Sequence, residues 1–202
     1  MPRKAPDRLR LMTMLHAVVH SQDIAWTNFH ILRGIANAYL GRPQVGSFDR
    51  LVPKLRVALF DALFAAIGTL IDRTSGTSSL HQLAVLLKRD TSENTKSVQE
   101  LIYQLSSPKE GPIFKIMQWR NLRVAHRTEL GRDYEFFEKN RISLAEIERA
   151  LKAIDAAVVE LTTIYFNVHQ SVRGSSKHLI ADAESFVSAL QKFFEQSISE
   201  AL

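Results

Sequence analysis

Apolar residues recur at spacings of three and four along most of the chain, the 3.6-residue period of amphipathic helices, and almost nowhere alternate as in a half-buried strand. The first such pattern runs from about Leu9 to Leu40 and stops at "GRPQVG"; the second runs from about Arg50 to Arg73 and stops at "TSGTSS". A short helix is predicted in "SLHQLAVLLKR", another from about Ser92 to Leu105, and "SSPKEGP" is a loop. The next helix begins near Pro112 and fades by Gly131. Ser143 and Glu146 form a capping-box pattern opening a long helix to about Gln170. After "RGSSK" comes a last amphipathic helix, with Leu179, Phe186, Leu190, Phe193 and Phe194 on one face. The expected fold is an all-α, antiparallel helical bundle.

Two helices carry information beyond their existence. In "LVPKLRVALFDALFAAIGTLIDR" nearly every face is apolar, which predicts a central, buried helix. At about 100° per residue, Asp61, Ala65, Gly68 and Asp72 share one narrow stripe, acidic at its ends and small in its middle. Small residues let another helix approach closely, and buried carboxylates need cationic or hydrogen-bonding partners. Asp61 and Asp72 are therefore either structural ion-pair partners or the carboxylates that orient a functional arginine.

That arginine is in "MQWRNLRVAHRTEL". On a regular helix Arg120 falls within the arc of Ile113, Ile116, Met117 and Val124, and Asn121 at its edge, while Trp119, Leu122 and His126 form a roughly opposite facet. A cation among core positions must reach a carboxylate, a phosphate or water, because burying it alone would cost several kcal/mol. The second facet predicts a further contact, with another helix or another chain. Arg120 and His126 lie about 120° apart in azimuth and ~9 Å apart along the axis, so their convergence needs either a distorted helix or a second chain.

Composition limits the remaining classes. At 202 residues, 46% apolar and 23% charged, the chain is long enough for one globular domain with appended helices. It has no cysteine, which removes disulfides, thiol nucleophiles and cysteine metal sites. Lysine and arginine number 26 against 21 acidic residues, giving net +5 and favouring a polyanionic partner such as nucleic acid. No apolar stretch reaches the ~18 residues of a membrane span, and the basic start followed by an apolar run lacks a cleavage site, so a cytoplasmic location is expected. His16, His20, His30, His81, His169 and His178 show no metal-like clustering and read as structural or solvated; no metal or cofactor is expected. Arg73 reads as a turn residue, and neither a phosphate-binding glycine loop nor a nucleophile elbow is present.

"RNLRVAH", with five residues between Arg120 and His126, resembles the arginine, polar residue, spacer and histidine signature of the HEPN families (higher eukaryote and prokaryote nucleotide-binding). "ALFDALFAAIGTLIDRTSGTSSLHQLAVLL" resembles the helix, Asp-Arg turn and Ser-Leu helix start of the HEPN subgroup associated with phage abortive infection of the U type. The resemblance covers about residues 50–130. It implies a single HEPN-type domain over 1–202, with a core of about 48–170 and flanking helices at about 8–40 and 175–200. It further implies a metal-independent endoribonuclease of phage defence, or a toxin, in which Arg120, Asn121 and His126 are catalytic. Arg123 and Arg127 read as solvated charges or RNA-backbone contacts, and Asp61 and Asp72 as supporting carboxylates. HEPN ribonucleases usually pair as homodimers around a composite cleft, and an antitoxin or defence partner would fit a toxin. Thr128 stands where toxins of this class that are paired with a nucleotidyltransferase often carry tyrosine, so control through modification of that position is not expected. The competing expectation is a non-catalytic HEPN module binding RNA or a protein, with the Arg-Asn-His set kept as architecture.

Overall fold

A computed structural model describes residues 8–39, 51–87, 93–121, 138, 140–166 and 177–199. Seven helices occur among them: α1 (Arg8–Tyr39), α2 (Leu51–Ile71), α3 (Leu80–Leu87), α4 (Glu93–Ser106), α5 (Gly111–Trp119), α6 (Leu144–Phe166) and α7 (Lys177–Ser199). No strand occurs among the described residues, and the all-α class follows.

Helix α1 is the axis of the bundle, packing on α2, α3, α6 and α7. Its buried stripe of Leu11, Met14, Val18, Gln22, Ala25, Phe29 and Leu32 keeps the three-and-four spacing for over twenty residues. The sequence reading packs this helix on a core of about 48–170; in the structure Phe29 belongs to the main hydrophobic cluster, and Phe29 and Ile35 are fully buried. The one polar residue in the stripe, Gln22, is half satisfied across the interface: its amide nitrogen donates to Asp155 of α6, which also accepts from Trp26 Nε1 at 3.0 and 3.1 Å, while its amide oxygen has no hydrogen-bond partner among the described residues. Burial raises the Asp155 carboxyl above its ordinary range, the Trp26 and Gln22 hydrogen bonds pull it back, and the nearby Asp23 pushes it up again.

The expectation that α2 is buried throughout needs correction. Leu63, Phe64, Ala66, Ile67, Gly68, Leu70 and Ile71 are buried, but Leu51 and Val57 in its first two turns are exposed. An apolar surface on every side states what a helix can bury; the extent of its neighbours decides what it does bury. The face of α7 also differs from expectation. Ala183 and Val187 are buried and Phe186 is 47% exposed, so the seam runs one position away from the aromatic one. Gly34 of α1 explains the choice, since a Cβ there would come within 2.8 Å of Val187 Cγ2: the two helices meet where α1 has no side chain.

The turn after α2 is held together by its own polar residues. Ser79 Oγ donates to the Asp72 carbonyl at 2.5 Å and accepts from Gln82 N at 3.3 Å, so one fully buried hydroxyl ends α2 and caps α3. Gly76, at φ +86°, provides the left-handed residue the turn requires. The capping box at Ser143 is formed: Ser143 N and Oγ donate to Glu146 Oε2 at 2.8 and 3.0 Å, and Glu146 N donates to Ser143 Oγ at 3.2 Å. Lys115 of α5 donates to Glu146 Oε1 and to the Arg141 carbonyl, which fastens α5 to the start of α6. The Lys115 hydrogen bond, with those from Ser143, lowers the Glu146 carboxyl to about 2.

Candidate functional site

Helix α5 is short and strongly anchored. Pro112 stands in its first turn, Ile113 and Ile116 are buried, and its regular turn gives way at Arg120 and Asn121 to a wider, π-type turn. Such widening is common where a helix presents a functional side chain. Trp119 fixes the end of the helix: its indole N–H donates to the Asn140 carbonyl at 2.8 Å and its ring lies 6.0 Å from that of Phe64 on α2. The second facet read from the sequence therefore meets, through Trp119, another helix and the segment before α6 of the same chain.

Arg120 lies across α2 at Gly68. A Cβ on Gly68 would stand 3.0 Å from Arg120 Cγ and Nε and 3.2 Å from Cδ, so the missing side chain is the space the arginine stem occupies. The small residues of the α2 stripe serve to admit a side chain. At its far end the guanidinium meets Asp72, with Nη2 3.7 Å from Oδ2. Asp72 is itself fixed, because its other oxygen accepts from Thr74 N at 2.9 Å and Thr74 Oγ1 at 2.8 Å. Burial alone would raise the Asp72 carboxyl; the Thr74 hydrogen bonds, the charge of Arg120 and the Arg73 amide outweigh it and hold the group below its ordinary range.

Among the described residues the arginine is held but not used up. Nη1 donates to Asn121 Oδ1 at 3.1 Å, and the pair with Asp72 is too long to be a hydrogen bond. A guanidinium carries five N–H donors, and the Arg120 side chain is 34% exposed, so donors remain for an anion. Because a guanidinium only donates, the Asn121 amide must turn its oxygen to Arg120, which leaves its NH2 directed elsewhere as a donor.

Of the predicted site residues, the structure brings Arg120, Asn121 and Asp72 together. Asp61 lies three turns away along α2, about 16 Å by helix rise, and lines a different feature. That feature is a cleft of about 300 Å³ walled by Phe60, Phe64 and Trp119, with Asp61, Glu138 and Arg141 around it. His126, Arg123 and Arg127 lie outside the described residues, as does His169. Among the other histidines, His30 is buried and stacks on Trp26, His81 Nδ1 is 3.2 Å from Ser106 Oγ, and His16, His20 and His178 are exposed. Among the described residues no three histidine, cysteine or acidic side chains are grouped to hold a metal ion, and no helix is long and apolar enough to cross a membrane. Sequence reasoning missed Thr74 as the anchor of Asp72 and read Gly68 as a helix contact; only the fold shows what each one faces.

A helical bundle presenting an arginine and an adjacent amide from a widened helix end, ahead of a histidine in sequence, resembles the HEPN class. The model of the HEPN family AbiU2 matches residues 51–192, well over half of the chain, and the chain belongs to that family. No curated protein and no solved structure matches it significantly.

Proposed function

We propose that this protein is a metal-independent endoribonuclease, acting in phage defence or as a toxin, in which Arg120 binds the scissile phosphate and His126 transfers a proton. The observation that carries this reading is the seating of Arg120. It is fixed by Gly68, Asn121 and Asp72, yet keeps donors open to an anion at a widened helix end. A merely structural arginine would gain most from a tight, closed ion pair, whereas this one is loose and one-third exposed.

The chemistry uses groups of these types. The ribose 2′-OH loses a proton and attacks phosphorus, the P–O5′ bond breaks, and the departing 5′-oxygen takes up a proton. Histidine, with an ordinary pKa near ~6.5, exchanges protons at neutral pH. The guanidinium fork and the Asn121 NH2 stabilise the charge gathering on the phosphoryl oxygens. The products are a 2′,3′-cyclic phosphate and a 5′-OH, and DNA, without a 2′-OH, is not cleaved. The pair between Arg120 and Asp72 supports a second reading, a non-catalytic module that binds RNA or a protein, with the arginine as architecture.

The two readings separate on purified protein. Wild type is expected to cleave RNA in excess chelator and leave cyclic-phosphate ends, and His126→Ala to lose cleavage while keeping RNA binding. Activity lost with EDTA and restored by magnesium, or undiminished in His126→Ala, would overturn the mechanism. A homodimer with a composite cleft belongs to the same proposal, and the exposed Leu51 and Val57 of α2 offer apolar surface for pairing. If each site draws Arg120 from one chain and His126 from the other, a heterodimer of Arg120→Ala and His126→Ala chains regains about half of the activity. An active monomer at assay concentration would defeat that arrangement.

A further inference from the structure

The cleft at Asp61 has no role in the reading above, and its position relative to Arg120 gives it one. Phe64 and Gly68 are four residues apart on α2, about 6 Å along the axis and about 40° in azimuth, so they share a face. Trp119 packs on Phe64, and the next residue, Arg120, lies across Gly68. Consecutive side chains of one helix thus address an aromatic cleft and an anion position, the guanidinium held at Asp72, eight residues or about 12 Å along α2 from Phe64. A nucleotide joins an aromatic base to a phosphate across one sugar, a separation of the same order.

We propose that the cleft holds an unstacked RNA base, with a preference for guanine, while the phosphate of that nucleotide lies against Arg120. The inference rests on Arg120 being the phosphate ligand. The volume of about 300 Å³ is at the small end of ligand pockets, suited to a single base and not to a helix. Phe60 and Trp119, both half-buried, offer ring surfaces of the kind on which single-stranded bases stack, with the buried Phe64 packed against both rings. The Trp119 N–H is already satisfied by the Asn140 carbonyl, so the tryptophan contributes its surface and not a donor.

Specificity comes from Asp61. A carboxylate has two oxygens with roughly four acceptor sites and no donor, so it can accept from a base while also serving protein donors. Guanine presents two adjacent donors, N1–H and the exocyclic amino group, which match both oxygens at once. Adenine and cytosine present one amino group beside a ring acceptor, which repels a carboxylate, and uracil presents a single imino donor between two carbonyls. Arg141, on the same cleft, offsets one of the two negative charges of Asp61 and Glu138 that oppose a nucleotide, leaving one carboxylate for the base donors to meet.

Tryptophan fluorescence reports on the cleft directly, because the only other tryptophan, Trp26, is 2% exposed in the core. The full chain is titrated with the 3′-monophosphates of guanosine, adenosine, cytidine and uridine. The guanosine nucleotide is expected to quench and to bind about tenfold tighter than the others, the discrimination a bidentate pair provides. Asp61→Asn should bring the four within about threefold of one another at an unchanged unfolding midpoint. Phe60→Leu, which keeps the carboxylate, should weaken all four. Four nucleotides that bind alike, or none that quench while the protein cleaves RNA without base preference, would overturn the guanine cleft and leave the ribonuclease reading standing. Asp61-dependent guanosine binding by a protein that does not cleave RNA would uphold the cleft and overturn the ribonuclease.

Discussion

Gly68→Ala isolates the seat of Arg120 from the stability of the fold. The new Cβ would stand 3.0 Å from Cγ and Nε and 3.2 Å from Cδ of the arginine, where carbon atoms prefer ~3.5–4.0 Å, so the stem must move by about half an ångström. A long side chain can make that move at little cost. Alanine in a helix interior is favoured over glycine by about 1 kcal/mol, enough to offset the crowding. The unfolding midpoint should therefore stay within roughly 3 °C of wild type, since ~1 kcal/mol corresponds to ~2–4 °C in a chain of this size. Activity should respond differently. Misplacing a positioned group by ~1 Å can cost ~10²-fold, so about half that displacement predicts about a tenfold loss in the single-turnover cleavage rate. Thermal unfolding and single-turnover cleavage of a short RNA measure the two effects on one preparation. A wild-type rate in Gly68→Ala, beside an inactive Arg120→Ala, would refute the claim that the glycine sets the arginine's position. A fall in midpoint of many degrees would show instead that the contact belongs to the core.

Two further changes test the frame that holds the site. Asp155 has its carboxyl raised in the folded state, so its contribution to stability is fully present below the ordinary value of 3.8 and is lost as pH rises through the raised one. Asp155→Asn keeps an acceptor for Trp26 without the charge, so the variant's midpoint should gain on wild type as pH rises above 3.8 and through the raised value; a gap that stays constant with pH would contradict the assignment. Ser143→Ala removes the hydroxyl of the capping box and should cost about 1 kcal/mol by denaturant unfolding, and no measurable loss would mean that Glu146 and Lys115 hold the start of α6 unaided.

The sequence by itself determined where the helices are. Their three-and-four spacing survives in α1, the Ser143 and Glu146 pair marks the start of α6, the polar break at "TSGTSS" falls between α2 and α3, and the middle of "SSPKEGP", residues 107–110, falls between α4 and α5. It also showed that Arg120 was out of place on its helix and that a carboxylate of α2, Asp61 or Asp72, could pair with it. Periodicity fixes the direction of a side chain around its own axis, so each stripe could be read before any packing was known. It carries no information about how far one helix slides along another or how it is rotated against it. That is why only the tertiary structure decided that Asp72 and not Asp61 meets Arg120, and that α7 seats Val187 on Gly34 and leaves Phe186 outside. The same limit applies to α2, whose first turns leave Leu51 and Val57 exposed beside Lys54 and Arg56 although the apolar residues further along are buried, because burial belongs to the pair of surfaces and not to either alone.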